Sequence, residues 1–225
     1  MGMVVAVMGA SGSGKTSSLR KYKPGEIFIY EVAGKSLPFK ATGMKKYIME
    51  THDYGKIEST MKSMSSKCKT FIIDDSQYLM AFESFDKAKQ VGYEKFTTMA
   101  FNFQKLLRFV KDELPENVIV FFLHHVSKDD DGFMHLKTLG KMLDNQLTID
   151  GLFTIILYAC KNQKQYVFET SDPDGLTTAK TPIGMFDEQY IDNDLKMVEN
   201  TIRDYYDIKL TTNDEKKEDT TNEKN

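Results

Sequence analysis

Apolar residues fall along this chain in blocks of two kinds. Short runs, apolar at successive positions, occur at Met3–Met8, Glu26–Glu31, Thr70–Asp75 and Asn117–Leu123. Such runs predict strands buried on both faces. Longer blocks with helical spacing lie between them, over Tyr54–Lys67, Leu79–Lys89 and Tyr93–Glu113. In the last of these, Phe96, Met99, Ala100, Phe103, Leu106, Leu107 and Val110 recur three and four residues apart, which makes one core-facing stripe. Leu152–Ala159 and Gln165–Glu169 read as two further strands joined by a polar turn at Asn162, and Asn193–Tyr206 as a final amphipathic helix. Strands alternating with helices predict an α/β fold: a mostly parallel, twisted sheet flanked by helices, here with a C-terminal β-hairpin. In such a sheet ligands bind at the carboxyl ends of the strands. Residues 1–207 form the expected core. Residues 208–225 are a polar, acidic tail that holds no apolar residue from Thr211 on and is expected to be disordered.

The first strand runs directly into Gly9-Ala10-Ser11-Gly12-Ser13-Gly14-Lys15-Thr16. This fits G-x-x-x-x-G-K-[ST], the phosphate-binding loop, at every fixed position, and Ser17–Tyr22 can continue as a helix until Pro24-Gly25. Glycines let the backbone curl so that successive N–H groups face phosphate oxygens. In that pattern Lys15 reaches the β- and γ-phosphates, and the Thr16 hydroxyl binds Mg²⁺. Residues Gly9 to Ser17 are therefore the expected nucleotide contacts, with ATP and Mg²⁺ as the ligands.

The third strand ends in Asp74-Asp75. An apolar strand ending in Asp, downstream of a phosphate loop, is the Walker B pattern, and Asp74 is expected to hold Mg²⁺ opposite Thr16. Asp75 either polarises the attacking water or faces solvent. Glu31 closes the second strand, expected beside the loop strand, where a carboxylate can orient water. His124 and His125 close the fourth strand, where a polar group can sense the γ-phosphate. Side chains alternate, so one of the two faces the site, and His124 is the expected one. No further ligands accompany these histidines, so zinc is not expected.

Composition narrows the classes. The 225 residues carry a net charge of −3, so no global basic field announces nucleic acid, although a local basic groove is compatible with it. The two cysteines, Cys68 and Cys160, lie far apart and read as buried thiols in a reducing compartment. The chain begins on a core strand and has no apolar run long enough to span a bilayer, so a soluble, cytoplasmic protein is expected. Arg20, Arg108 and Arg203 are its three arginines. Small-molecule kinases commonly clamp two polyphosphates with several arginine forks, so a nucleotide kinase is disfavoured, and a lysine is the expected cation completing the site. Asn162-Gln163-Lys164-Gln165 lacks the Asp of a guanine-reading N-K-x-D motif and reads as a solvated turn.

Beyond the two Walker motifs, the chain carries Gly34–Lys40, Asp74–Tyr78, Phe121–His125, Thr138–Asp144 and Thr178–Phe186. Together, over about residues 1–206, these resemble bacteriophage RecA-like P-loop ATP-binding proteins similar to Sak-type single-strand annealing ATPases. The resemblance implies an ATPase in phage recombination or replication, located in the host cytoplasm. It implies single-stranded DNA, and single-strand-binding or replication proteins, as partners. RecA-type proteins usually show Asp-x-Glu-Gly after the second strand, whereas Tyr30-Glu31-Val32-Ala33-Gly34 stands here. RecA-like ATPases work as rings or filaments in which a cation from one subunit reaches the γ-phosphate held by the next. Lys180, in a Gly- and Pro-bounded loop after the last strand, is the expected donor. The alternative is a P-loop regulator or loader that binds ATP and a protein partner with little DNA contact.

Overall fold

The computed structural model describes residues 1–89, 92, 94–139 and 149–210. The tail from residue 211, and the 140–144 part of the Thr138–Asp144 motif, lie outside the described residues. In chain order the elements are β1 (Met3–Met8), β2 (Phe28–Glu31), β3 (Ile48–Glu50), α1 (Tyr54–Met64), β4 (Thr70–Asp74), α2 (Gln77–Asp86) and α3 (Glu94–Glu113). They continue with β5 (Ile119–His124), β6 (Val126–Lys128), β7 (Met134–Leu136), β8 (Ile155–Asn162), β9 (Gln165–Glu169), β10 (Tyr190–Asp192) and α4 (Leu195–Tyr205).

Eight strands form one sheet in the order β10-β9-β8-β1-β5-β4-β2-β3, and β6 pairs with β7 apart from it. Strands β8, β1, β5, β4, β2 and β3 are parallel, whereas β9 and β10 close one edge antiparallel. The parallel strands are buried on both faces, and alternation sorts their side chains. Val4, Ala6, Met8, Phe71, Ile73, Val120 and Phe122 meet Ile57 and Met61 of α1, Leu79 and Met80 of α2, and Phe103, Leu106 and Val110 of α3. Val5, Val7, Ile72, Phe121 and Leu123 face the other way, onto Leu19, Tyr22, Met44 and the α4 residues Leu195, Val198 and Ile202. The result is a mostly parallel sheet with helices on both faces.

The crossover from β2 to β3 contains no helix beyond a 3-10 turn at Lys45–Tyr47. Leu37, Phe39 and Ala41 alternate onto the sheet, and the exposed Pro38 and Lys40 lie between them. A two-residue period here gives an extended cover rather than a helix.

A buried polar knot ties α4 to the amino ends of the central strands. Arg203 donates Nε to Glu199 (2.7 Å), Nη1 to the Asn117 carbonyl (2.9 Å) and Nη2 to Thr70 Oγ1 (3.0 Å). Tyr22 and Thr70 hydroxyls donate to the two oxygens of the same Glu199 carboxylate. Every charge in the knot has a partner, the condition under which buried ions are tolerated.

Three elements depart from the sequence expectation. The segment after the phosphate loop is a six-residue 3-10 turn, Thr16–Lys21, rather than an α-helix. Tyr22 is already extended before Pro24, which leaves too little chain for regular helix. The expected C-terminal hairpin is present as β8–β9, and β10 adds a third antiparallel strand. The second strand is not beside the first: β5 and β4 lie between them.

Candidate functional site

The carboxyl ends of β1, β5, β4 and β2 lie side by side along one end of the sheet. β1 hands over to the loop where Gly9 N–H donates to the His124 carbonyl (3.1 Å). A Cβ on Gly9 would lie 2.4 Å from Ser13 Oγ and 2.7 Å from the Ala159 carbonyl, so only glycine fits there. Gly14 has φ +100, a conformation costly for any residue with a side chain. Ala10, Ser11 and Gly12 form the exposed rim of the loop, and Ser17 is half-buried behind it.

Lys15 is 5% exposed and donates Nζ to the Gly9 (2.8 Å) and Ala10 (3.0 Å) carbonyls. Burial pushes this ammonium down to about 8, opposed by the carboxylates of Asp75 and Asp74 and reinforced by the Lys35 ammonium. Thr16 Oγ1 donates to Asp74 Oδ1 (3.1 Å), which brings the end of the loop onto the end of β4. Asp74 Oδ2 is buried with no hydrogen-bond partner among the described residues, and so is Ser13 Oγ. Burial pushes the Asp74 carboxyl up to about 7 despite the Thr16 bond, and the neighbouring Asp75 and Glu31 add to the rise.

The two further carboxylates differ. Glu31 stands opposite Asp74 in the β2–β4 register and is buried. Its Oε2 accepts from the Lys35 backbone N–H (3.0 Å), yet burial holds its carboxyl above the ordinary value. Asp75 sits at φ +60 directly after β4. Its Oδ2 bonds Lys35 Nζ (2.5 Å) and its Oδ1 bonds His125 Nε2 (3.0 Å). Burial works to raise the Asp75 carboxyl, but these two partners outweigh it and hold it at about 2.

Of the two histidines, His125 meets the carboxylates. His124 is 1% exposed and committed at both nitrogens: Nε2 donates to the Lys137 carbonyl (2.7 Å), so Nδ1 accepts from Ser76 Oγ (2.8 Å). Burial pushes its imidazole down to about 4, so it stands neutral as a strut between β5 and the chain after β7. His125 reaches Asp75 through its ring, its backbone N–H donates to Gln77 Oε1 (3.2 Å), and its ring meets Tyr78 edge-on at 6.2 Å.

Lys180 is not among the groups gathered here. Its backbone pairs with Ile156, and its Nζ donates to the Asp150 carbonyl (3.0 Å), ahead of the start of β8. Lys35 is the lysine that pairs with Asp75 at the end of β4. The sequence offered one signal for it, a Gly-Lys pair following the strand that ends in Glu31. No pattern in the sequence predicts its contact with Asp75.

The orphaned Asp74 oxygen tests whether the site suits Mg²⁺. A buried carboxylate oxygen beside a threonine hydroxyl is an oxygen donor pair suited to a hard cation. Among the described residues no group of three or more His, Cys, Asp or Glu is placed to cage a metal. A cation at Asp74 and Thr16 would therefore complete its shell with water and ligand oxygens, as Mg²⁺ does with substrate phosphates. The residues fit the ion. Among the described residues, no helix is long and apolar enough to cross a membrane. No family model matches the chain, and no curated protein matches it.

Proposed function

We propose that the chain is an Mg²⁺-dependent RecA-like P-loop ATPase that acts on single-stranded DNA in phage recombination or replication. One observation carries the nucleotide reading: the loop Gly9–Thr16 closes onto Asp74 through Thr16, leaving a buried carboxylate oxygen without a partner beside it. A loop N–H cradle, a lysine and a half-satisfied carboxylate together make a receptor for a polyphosphate with its cation.

The residues divide the work as follows. Backbone N–H groups of the loop bind phosphate oxygens, and Lys15 exchanges the Gly9 and Ala10 carbonyls for the β/γ oxygens. Thr16 and Asp74 hold Mg²⁺, which supplies charge neutralisation at the transferring phosphoryl group. Glu31, buried and with a raised carboxyl, orients the attacking water and accepts its proton. His125 fixes the Asp75 carboxylate at the end of β4. The three arginines take no part in this: Arg203 lies in the buried knot, Arg20 donates to the Ser17 and Asn193 carbonyls, and Arg108 faces Asp112 on α3. That supports hydrolysis over phosphoryl transfer between two nucleotides.

The DNA reading rests on the resemblance and on the β2–β3 crossover. From Val32 to Met49 the chain carries Lys35, Lys40, Lys45 and Lys46, all exposed, and no acidic residue, in a protein of net charge −3. Phosphate contacts make binding fall steeply with salt. ATP turnover measured with and without single-stranded DNA over a salt series tests this. Stimulation that fades with salt, and that is lost in a Lys40→Glu/Lys45→Glu/Lys46→Glu variant, is expected. Turnover indifferent to DNA at every salt concentration would instead favour the regulator or loader that binds ATP and a protein partner.

A further inference from the structure

We propose that Lys35 is the cation that contacts the terminal phosphate of the bound nucleotide, within the same subunit, by exchanging Asp75 for a phosphate oxygen. The inference rests on the ATP-binding reading above; it concerns a cation of the subunit's own site and is separate from Lys180, expected to act on the site of a neighbouring subunit.

Position comes first. A continuous set of contacts runs from the loop through Thr16 and Asp74 to Asp75, and Lys35 Nζ lies at its end, 2.5 Å from Asp75 Oδ2. The backbone of Lys35 is held by one bond: its N–H donates to Glu31 Oε2, and Gly34 before it sits at φ +67. The stem thus starts just beyond the carboxyl end of β2, and the side chain is 55% exposed, which leaves room around it for a ligand.

Exchange comes second. An ion pair with one half-exposed partner is weak in water and readily traded for a polyphosphate of higher charge. Asp75 is buried, and a buried carboxylate left alone would resist the trade. It is not left alone, because His125 keeps its bond to Oδ1 when Lys35 leaves. The Tyr78 ring, 5.4 Å from the ammonium, offers a second surface along which the cation can move. A cation that reaches the γ-phosphate stabilises ATP over ADP and the transition state over both.

The test compares Lys35→Met, which keeps the stem and removes the charge, with Asp75→Asn, which removes the resting partner. Fluorescent ATP and ADP analogues report affinity, and phosphate release reports turnover. Lys35→Met is expected to keep the wild-type ADP affinity and melting temperature, to lose the preference for ATP over ADP, and to turn over about 100-fold more slowly. Asp75→Asn is expected to keep that preference, because Lys35 is still present. Equal loss of preference in both variants would make Lys35 a positioning residue for Asp75 and overturn the assignment. Wild-type preference and turnover in Lys35→Met would overturn it too, while leaving the ATPase reading standing. Wild-type protein that binds neither nucleotide would overturn both.

Discussion

Asp74 carries opposite consequences for stability and for the proposed function. Its carboxyl stands at about 7 in the fold against an ordinary 3.8. Between those values the folded chain holds a proton that the unfolded chain has lost, so stability falls as pH rises through that window. Above it the whole cost is present, roughly 4 kcal/mol as an upper bound. Asp74→Asn removes the charge and leaves a buried amide in its place, which returns part of that gain. The variant is expected to melt higher than wild type at pH 8 in metal-free buffer and no higher at pH 5, by calorimetry at the two pH values. Mg²⁺ with nucleotide is expected to stabilise the wild type and not the variant. The meeting of Thr16 with Asp74 was legible in the sequence because the loop and the strand end are each marked by fixed spacing along the chain. The contacts of Lys35 and His125 were not, because each is made across the sheet, to an Asp75 held at φ +60. Periodicity could say that one of two adjacent histidines faces the site. Which one depended on Ser76 and Lys137, and no spacing connects those to His124.

At the scale of elements, long patterns were readable and short ones were not. β1, β4 and β5 are apolar on both parities because both faces are covered, and α3 shows its stripe over twenty residues. β3, β6, β7 and β10 are three residues each, too short for any period to register. The turn after the loop failed for a different reason. Its helical pattern is cut by the extended chain at Tyr22, and its place against the sheet is held by α4, through Tyr22 on Glu199. That makes the knot at Glu199 a support for the site as well as for the fold. Glu199→Ala strips Arg203 of its carboxylate in a position 6% exposed. A loss of about 3–5 kcal/mol is expected, read by denaturant titration. Glu199→Gln, which keeps an acceptor, is expected to cost less. Gly9→Ala is expected to abolish nucleotide binding, because the new methyl would displace Ser13 and the turn it belongs to.

For the molecule as a whole, the strand order does the assembling. β5 lies between the loop strand β1 and the carboxylate strand β4, so His125, directly after β5, can bond Asp75, directly after β4. β2 is two strands further from β1 than expected, yet Glu31 remains level with Asp74. Residues 211–225 hold no apolar side chain, and their deletion is expected to leave the melting temperature unchanged. The proposed function requires the carboxyl ends of these strands to receive ATP with Mg²⁺. Calorimetric titration of ATP into the wild type and into Lys15→Ala, each with Mg²⁺ and with a chelator, measures this. Saturable, Mg²⁺-dependent binding to the wild type is expected, with a large loss of it in Lys15→Ala at unchanged thermal stability. Equal binding by the two proteins, or none by the wild type, would contradict the proposed function.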